Sequence, residues 1–315
     1  MDLPDTPWSE AMRLEVPVVS APMGGVAGGA LAAAVSRAGG LGMIGMGSSA
    51  TTSMLREQLG HVGGLDRPFG IGLIGWRVRD EPALLTTALE ARPALLSVSF
   101  GDDVTWIGRA HDAGCETATQ VADLEGALRA VDAGVDVLVA RGAEGGGHGR
   151  PRVATLTLLA QILDRVEVPV LSAGGIGSAR ALAAVLAAGA AGAWLGTAFA
   201  ACRESLLPDG ARQAMIAAHA TDTVTTRAFD VAFGYPWPAH TPERLLRNAF
   251  TDRWDGREEE IDGAAVDALH TAIARQDYRV APVNAGQGVG EVTAVESVAT
   301  VIARLAGVIH PADSR

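Results

Sequence analysis

The sequence predicts an α/β chain folded as a (β/α)8 TIM barrel with an inserted, mainly helical smaller domain. Three observations point there. Eight short apolar runs alternate with alanine-rich helical segments over the first two hundred or so residues. Four of those helices end in the same pair, Ala38-Gly39, Ala113-Gly114, Ala133-Gly134 and Ala188-Gly189, with the next run starting just beyond. Glycine after the last helical residue stops a helix, because it adopts the left-handed conformation at no steric cost. The runs themselves are almost continuously apolar, as strands covered on both faces are.

In chain order the runs fall near 16–20, 41–45, 69–74, 94–100, 115–119, 136–140, 169–173 and 192–196. Eight strand-helix units are the number that closes a barrel, for which ~250 residues is typical; an open doubly wound sheet is the competing arrangement. After Phe199 the alternation breaks. Residues 205–284 hold the charge run Arg257-Glu258-Glu259-Glu260 and the sequence Tyr235-Pro236-Trp237-Pro238. The expected organisation is a barrel over 1–204, a mainly helical lid over 205–284, and a return segment over 285–315 that ends in an amphipathic helix near 292–305 packed on the barrel.

Composition narrows the chemistry. The chain has 315 residues, a net charge of −11 and no basic run, which argues against nucleic acid and anionic membranes as partners. The alanine-rich stretches are broken by Gly and Arg and do not read as membrane spans. Two cysteines, Cys115 and Cys202, fit a reducing, cytoplasmic setting rather than a disulfide framework. Every basic side chain is arginine. Without lysine there is no Schiff-base chemistry and no P-loop.

Barrel chemistry sits in the loops after the strands. Loop 7, Ser172-Ala173-Gly174-Gly175-Ile176-Gly177, and loop 8, Gly196-Thr197-Ala198-Phe199, follow strands and precede helices. Glycine lets backbone N–H groups approach an anion, and loops 7 and 8 are a recurrent barrel phosphate site. Loop 1, Ala21-Pro22-Met23-Gly24-Gly25, is stiffened by Pro22 and leaves room for a flat ligand. Loop 6 carries Glu144-Gly145-Gly146-Gly147-His148-Gly149. Its imidazole stands at the barrel mouth among glycines that give it room, and imidazole suits proton abstraction near neutral pH. The other histidines, His61, His111, His219, His240, His270 and His310, read as structural or solvated. No metal is expected, since no His/Cys/Asp cluster shows ligand spacing. Glu144 is a candidate to orient the loop. Thr119 or Gln120 at the end of strand 5 would reach a ligand's polar edge, Trp76 would cover an aromatic ligand, and Trp106 reads as helix packing.

These motifs together resemble the nitronate monooxygenase family, once called 2-nitropropane dioxygenases. The resemblance lies in the stretch from Pro17 to Gly25, in Ala34 to Gly42, in the Gly-Gly-His loop, in Pro169 to Ile176, in Leu195 to Phe199 followed by Glu204-Ser205, and in Ala285-Gly286-Gln287-Gly288. It covers nearly the whole chain and is weakest over 206–284. It implies a barrel holding FMN non-covalently, with Ala21, Met23 and Gly24 along the isoalloxazine. Ser172, Gly174, Gly175, Gly196 and Thr197 would hold the 5′-phosphate, Gln120 and Gly145 would contact ribityl or ring, and His148 would be the catalytic base. Two departures stand out: Gly145 replaces the family's alanine, and the lysine that relatives use near the flavin is absent. The implied reaction is FMN-dependent oxidation of alkyl nitronates or nitroalkanes by O2 to a carbonyl compound and nitrite, with only a small-molecule substrate and O2 as required partners and a homo-oligomer compatible with the sequence. The alternatives are an FMN-dependent NAD(P)H:quinone or enoyl-thioester reductase, and a non-catalytic barrel that binds a phosphorylated ligand.

Overall fold

The structure, a computed structural model, describes residues 5–307. His310 and the rest of the 308–315 tail lie outside it. The strands are β1 (Val18–Ser20), β2 (Gly42–Gly45), β3 (Phe69–Ile74), β4 (Leu95–Ser99), β5 (Glu116–Val121), β6 (Val137–Arg141), β7 (Gly147–His148), β8 (Val170–Ala173), β9 (Gly192–Leu195), β10 (Thr223–Thr226) and β11 (Glu243–Leu246). Eight of them form one parallel sheet in the order β1-β9-β8-β6-β5-β4-β3-β2. A parallel bridge from Val19 to Leu41 joins the two ends: Ser20 N–H donates to the Leu41 carbonyl and Leu41 N–H to that of Val18. The sheet is therefore a (β/α)8 barrel, and the doubly wound alternative is excluded.

Between and after the strands run α1 (Pro7–Ala11), α2 (Gly29–Arg37), α3 (Thr52–Leu59), α4 (Gly75–Asp80), α5 (Ala83–Glu90), α6 (Thr105–Asp112), α7 (Leu124–Asp132), α8 (Thr155–Leu163), α9 (Ala179–Ala187) and α10 (Thr197–Ala200). The glycines of the four Ala-Gly pairs have φ of 93° (Gly39), 76° (Gly114), 89° (Gly134) and 102° (Gly189), a region other residues rarely enter. Strand residues alternate as the pleat requires. Val137 and Val139 point into the barrel with Val19, Met43, Leu95, Leu171 and Trp194, while Leu138 and Ala140 face the helices. Trp8 and Met12 join the interior cluster, so the N-terminal segment plugs one end of the barrel. The Trp8 indole N–H donates to Glu116 at the start of β5.

Two strand ends differ from the sequence reading in a way that matters. β5 runs on through Gln120, and β6 ends on Arg141, which is buried. Residues 205–284 contain α11 (Asp209–Ile216), whose Ala211 and Met215 pack with Ala200, Ala285 and Val289, and α12 (Ala228–Phe233), α13 (Ala249–Trp254) and α14 (Gly263–Ala274) around a separate core of Phe229, Phe250, Trp254 and Leu269. They also contain β10 and β11, which pair antiparallel with each other and with β7 from loop 6. The runs Thr223-Val224-Thr225-Thr226 and Glu243-Arg244-Leu245-Leu246 are too short to signal strands by periodicity alone. The return segment makes a tight turn over Gln287–Glu291 and then α15 (Val298–Leu305). Ser297 caps α15 by accepting from Thr300 N–H, so the helix starts six residues later than its apolar pattern. Both cysteines are free and buried, and no helix among the described residues is long and apolar enough to cross a membrane.

Gly42 shows how closely helix and sheet approach. A Cβ there would overlap the Ala32 carbonyl of α2. Gly42→Ala is expected to lower stability by about 1–3 kcal/mol, read as a lower denaturation midpoint with an unchanged slope.

Candidate active site

Loops 6 and 7 and the return segment meet backbone to backbone at the carboxyl end of the barrel. A Cβ on Gly146 would stand 2.5 Å from the Gly286 nitrogen, and one on Gly286 would stand 2.7 Å from the Glu144 carbonyl oxygen. A Cβ on Gly174 would come within 2.6 Å of Thr155 Oγ1, and Gly174 has φ 117°. Gly175 has φ 68°. Side chains are excluded from this junction by contact. Glu144 fastens it: its carboxylate accepts from Thr155 N–H at 3.0 Å and from the Thr155 hydroxyl at 2.7 Å. Glu144 thus orients the loop through Thr155.

Loop 8 joins the same junction, since Gly286 N–H donates to Thr197 Oγ1 at 2.9 Å. Ser172, at the end of β8, is fully buried, and its hydroxyl has no partner among the described residues. Ser172 is in register with Ala140 and so lies on the helix-facing side of β8, where its unpartnered hydroxyl is costly. On the other side, a Cβ on Gly196 would touch Met23 Sδ at 3.4 Å and Ala21 Cβ at 3.6 Å, so Ala21, Met23 and Gly196 form one small-residue surface. Gly24 has a separate job: a Cβ on it would overlap Gly47 in the loop after β2.

His148 is set by the pairing of β7 with β11, which aligns it with Glu243. Its Nε2 lies 2.9 and 3.0 Å from the two oxygens of Asp230, on α12. Its ring stacks on Trp237 with centroids 3.6 Å apart and planes within 7°. Trp237 in turn meets Trp76 and Phe100 edge-on, and its indole N–H donates to Ser48 Oγ at 3.0 Å. Asp230 and Glu243 are both buried. Burial, and then the neighbouring Asp230 charge, push the Glu243 carboxyl up to about 8, so it holds a proton at neutral pH. His148, Asp230 and Glu243 offer ligand atoms within 4.8 Å of one another, a grouping with no spacing signature in the sequence.

Beside this group lies a cavity of about 960 Å³, lined at its barrel end by Gln120, Arg141 and Gly149 and, from residues 205–284, by Pro236 and Pro238. Gln120 and Trp76 reach it as the sequence suggests, and Trp106, read as packing, is both buried and part of its wall. Thr119 spends its hydroxyl on the Val98 carbonyl. Gly145 lies against Arg141, whose Nη2 donates to the carbonyls of Gly145, Gly146 and Gly147 at 2.8, 3.1 and 2.9 Å. Sequence reasoning misses Asp230, Glu243, Trp237 and Arg141. Only Trp237 carries a signal, its bracket of two prolines, and that signal names no partner.

A (β/α)8 barrel with a glycine-rich junction at loops 7 and 8 and a carboxylate-held histidine beside a cavity is the architecture of an enzyme. The family model described as nitronate monooxygenase matches residues 5–83 and 78–307. The chain belongs to the nitronate monooxygenase family, a family of flavin-dependent oxidoreductases. It is 31% identical over 354 residues to the nitronate monooxygenase of Pseudomonas aeruginosa, with 95% of this chain and 99% of that one covered. It is 33% identical over 226 residues to a (3aS,4S,5R,7aS)-5-hydroxy-7a-methyl-1-oxo-octahydro-1H-indene-4-carboxyl-CoA dehydrogenase of Rhodococcus jostii, a match that spans 71% of this chain and 63% of that one. Among solved structures, the nitroalkane oxidase of Streptomyces ansochromogenes superposes with a TM-score of 0.81 at 29% identity, over 95% of this chain and 97% of that one.

Glu243 makes stability depend on pH. Its folded value of about 8 stands above the ordinary 4.5, so between those limits the folded chain holds a proton that the unfolded chain has lost. Stability contributed by this group therefore falls as pH rises through that window, with a slope of at most about 1.4 kcal/mol per unit. Glu243→Gln is expected to flatten the fall, as checked by denaturation midpoints of both proteins from about pH 5 to 8.

Proposed function

We propose that this chain binds FMN at the barrel mouth and oxidises alkyl nitronates, and the nitroalkanes from which they form, with O2 to a carbonyl compound and nitrite. The observation that carries this reading is the His148–Asp230 pair beside the cavity, in a chain of this family. The residues fit an FMN phosphate. Thr197 still has its hydroxyl proton to give, and Gly174, Gly175 and Gly196 leave backbone where side chains would intrude, with Ser172 adjoining them in sequence. Ala21, Met23 and Gly24 would lie along the ring, and Gln120 and Gly145 would meet its polar parts. Two buried free cysteines suit a cytoplasmic setting.

The chemistry supplied by bound FMN is transfer of electrons from the nitronate towards dioxygen. The protein's share begins with His148. With Nε2–H given to Asp230, the lone pair rests on Nδ1, which becomes the atom that takes the α-proton of a nitroalkane. The Asp230 carboxylate steadies the imidazolium that results. Trp237 fixes the plane of the ring by stacking on it, and its neighbours Pro236 and Pro238 line the cavity. A nitronate arrives already deprotonated and needs His148 only for placement. A second reading, reduction by NAD(P)H of a thioester, draws on the CoA-ester dehydrogenase relative. Anaerobic mixing separates the two: bleaching of the flavin by nitronate and not by NADH supports the oxidase, and the reverse supports the reductase.

Purified protein is expected to show the absorption of one bound FMN. His148→Ala should retain that spectrum while nitroalkane turnover drops by about 10²–10⁴-fold, and turnover of preformed nitronate should fall much less. Equal losses on both substrates would remove His148 as the base. Ser172→Ala should weaken FMN binding, measured by fluorescence titration, with the fold intact.

A further inference from the structure

The cavity is larger than a small nitronate needs. At about 960 Å³ it lies at the upper end of the range that holds a drug-sized ligand. It also extends in one direction. From Arg141 and Gln120 it runs past Phe100 and between α6 and α7, where Trp106 and Ile107 form one wall and Ala130 and Ala133 the other. Charged side chains also line it, Asp102 and Asp103 before α6, Asp123 at the start of α7 and Arg129 and Asp132 on α7, so the apolar stretch is the one between Trp106 and Ile107 on one side and Ala130 and Ala133 on the other.

Arg141 stands at the inner end. It is 6% exposed, and it has no carboxylate in ion-pair contact among the described residues. Its Nη2 is engaged with the loop 6 carbonyls, whereas its Nε and Nη1 have no hydrogen-bond partner among the described residues. The charged groups acting on it are Arg244, which repels it, and Glu144, whose carboxylate is taken up by Thr155. A buried, unpaired guanidinium at the wall of a cavity is a costly arrangement that an anionic ligand relieves.

We propose that this cavity is the binding site for a substrate with a straight apolar stem and a planar two-oxygen anionic head, the head received by Arg141 and the stem lying in the cleft between α6 and α7. This rests on the proposed nitronate reaction for the identity of the head and on this chain's own geometry for the stem. Alanines at 130 and 133 keep the cleft open; a large side chain there would close it.

The test uses straight-chain carboxylates, which share the planar two-oxygen head and do not react. Calorimetry on the flavin-loaded protein, from acetate to octanoate, is expected to show affinity rising by up to about fourfold per methylene. Ala130→Trp should abolish that dependence while leaving short-chain affinity unchanged. Arg141→Gln should weaken every chain length by a similar factor, and Arg141→Lys should restore much of it. Affinity independent of chain length, a dependence that survives Ala130→Trp, or carboxylate binding untouched by Arg141→Gln would each overturn the proposal. Binding of carboxylates requires no turnover, so a failure to oxidise nitronates would sink the proposed reaction and leave this readout standing. The matching kinetic arm is a KM for alkyl nitronates that falls with chain length at nearly constant kcat.

Discussion

The site depends on a pairing two residues long. Gly147 and His148 leave the barrel's sixth loop to pair antiparallel with Arg244 and Glu243. Through that pairing a residue of the barrel becomes part of a sheet otherwise made by residues 223–246. It brings His148 to Asp230, 82 positions along the chain, and to the Trp237 ring. Arg141 fixes the base of the same loop by binding three successive carbonyls. Arg244 fixes its far side: its Nε donates to the Ala143 carbonyl and its Nη1 to the Thr223 hydroxyl. A glycine-rich loop thus gains order from its surroundings rather than from its own conformational preferences.

The glycines then serve two ends. At Gly146, Gly286 and Gly174 they permit close contact between three loops, and a methyl group would have nowhere to go. At Gly174 and Gly175 they also supply backbone angles that other residues avoid. The result is a close-packed rim with few side chains. Electrostatics is arranged with similar economy. Asp230 and Glu243 lie close together, and a proton on Glu243 removes the repulsion that two buried carboxylates would otherwise suffer.

Much of this was legible in the sequence, and the limits have physical causes. Strand positions follow from apolar runs and helix ends from Ala-Gly pairs, because both are local. The glycine-rich loops after the seventh and eighth barrel strands were legible because glycine stands just beyond each apolar run. Asp230, Glu243 and Arg141 were not. Asp230 lies on a six-residue helix among aromatic residues, and Glu243 and Arg141 are charged residues at strand ends, where charge usually means solvent. Their burial is a property of the assembled fold. The strands of residues 205–284 were hidden for the related reason that a four-residue strand has too little pattern to distinguish it from a loop.

Cys202 follows loop 8, with its thiol directed at the Ala198 carbonyl. Burial, with Glu204 and Glu296 nearby, pushes that thiol up to about 12, and burial raises Cys115 as well. Thiolates, not thiols, are what peroxide attacks. In the proposed reaction, where electrons pass to oxygen at the barrel mouth, both sulfurs are held in the form that peroxide attacks least.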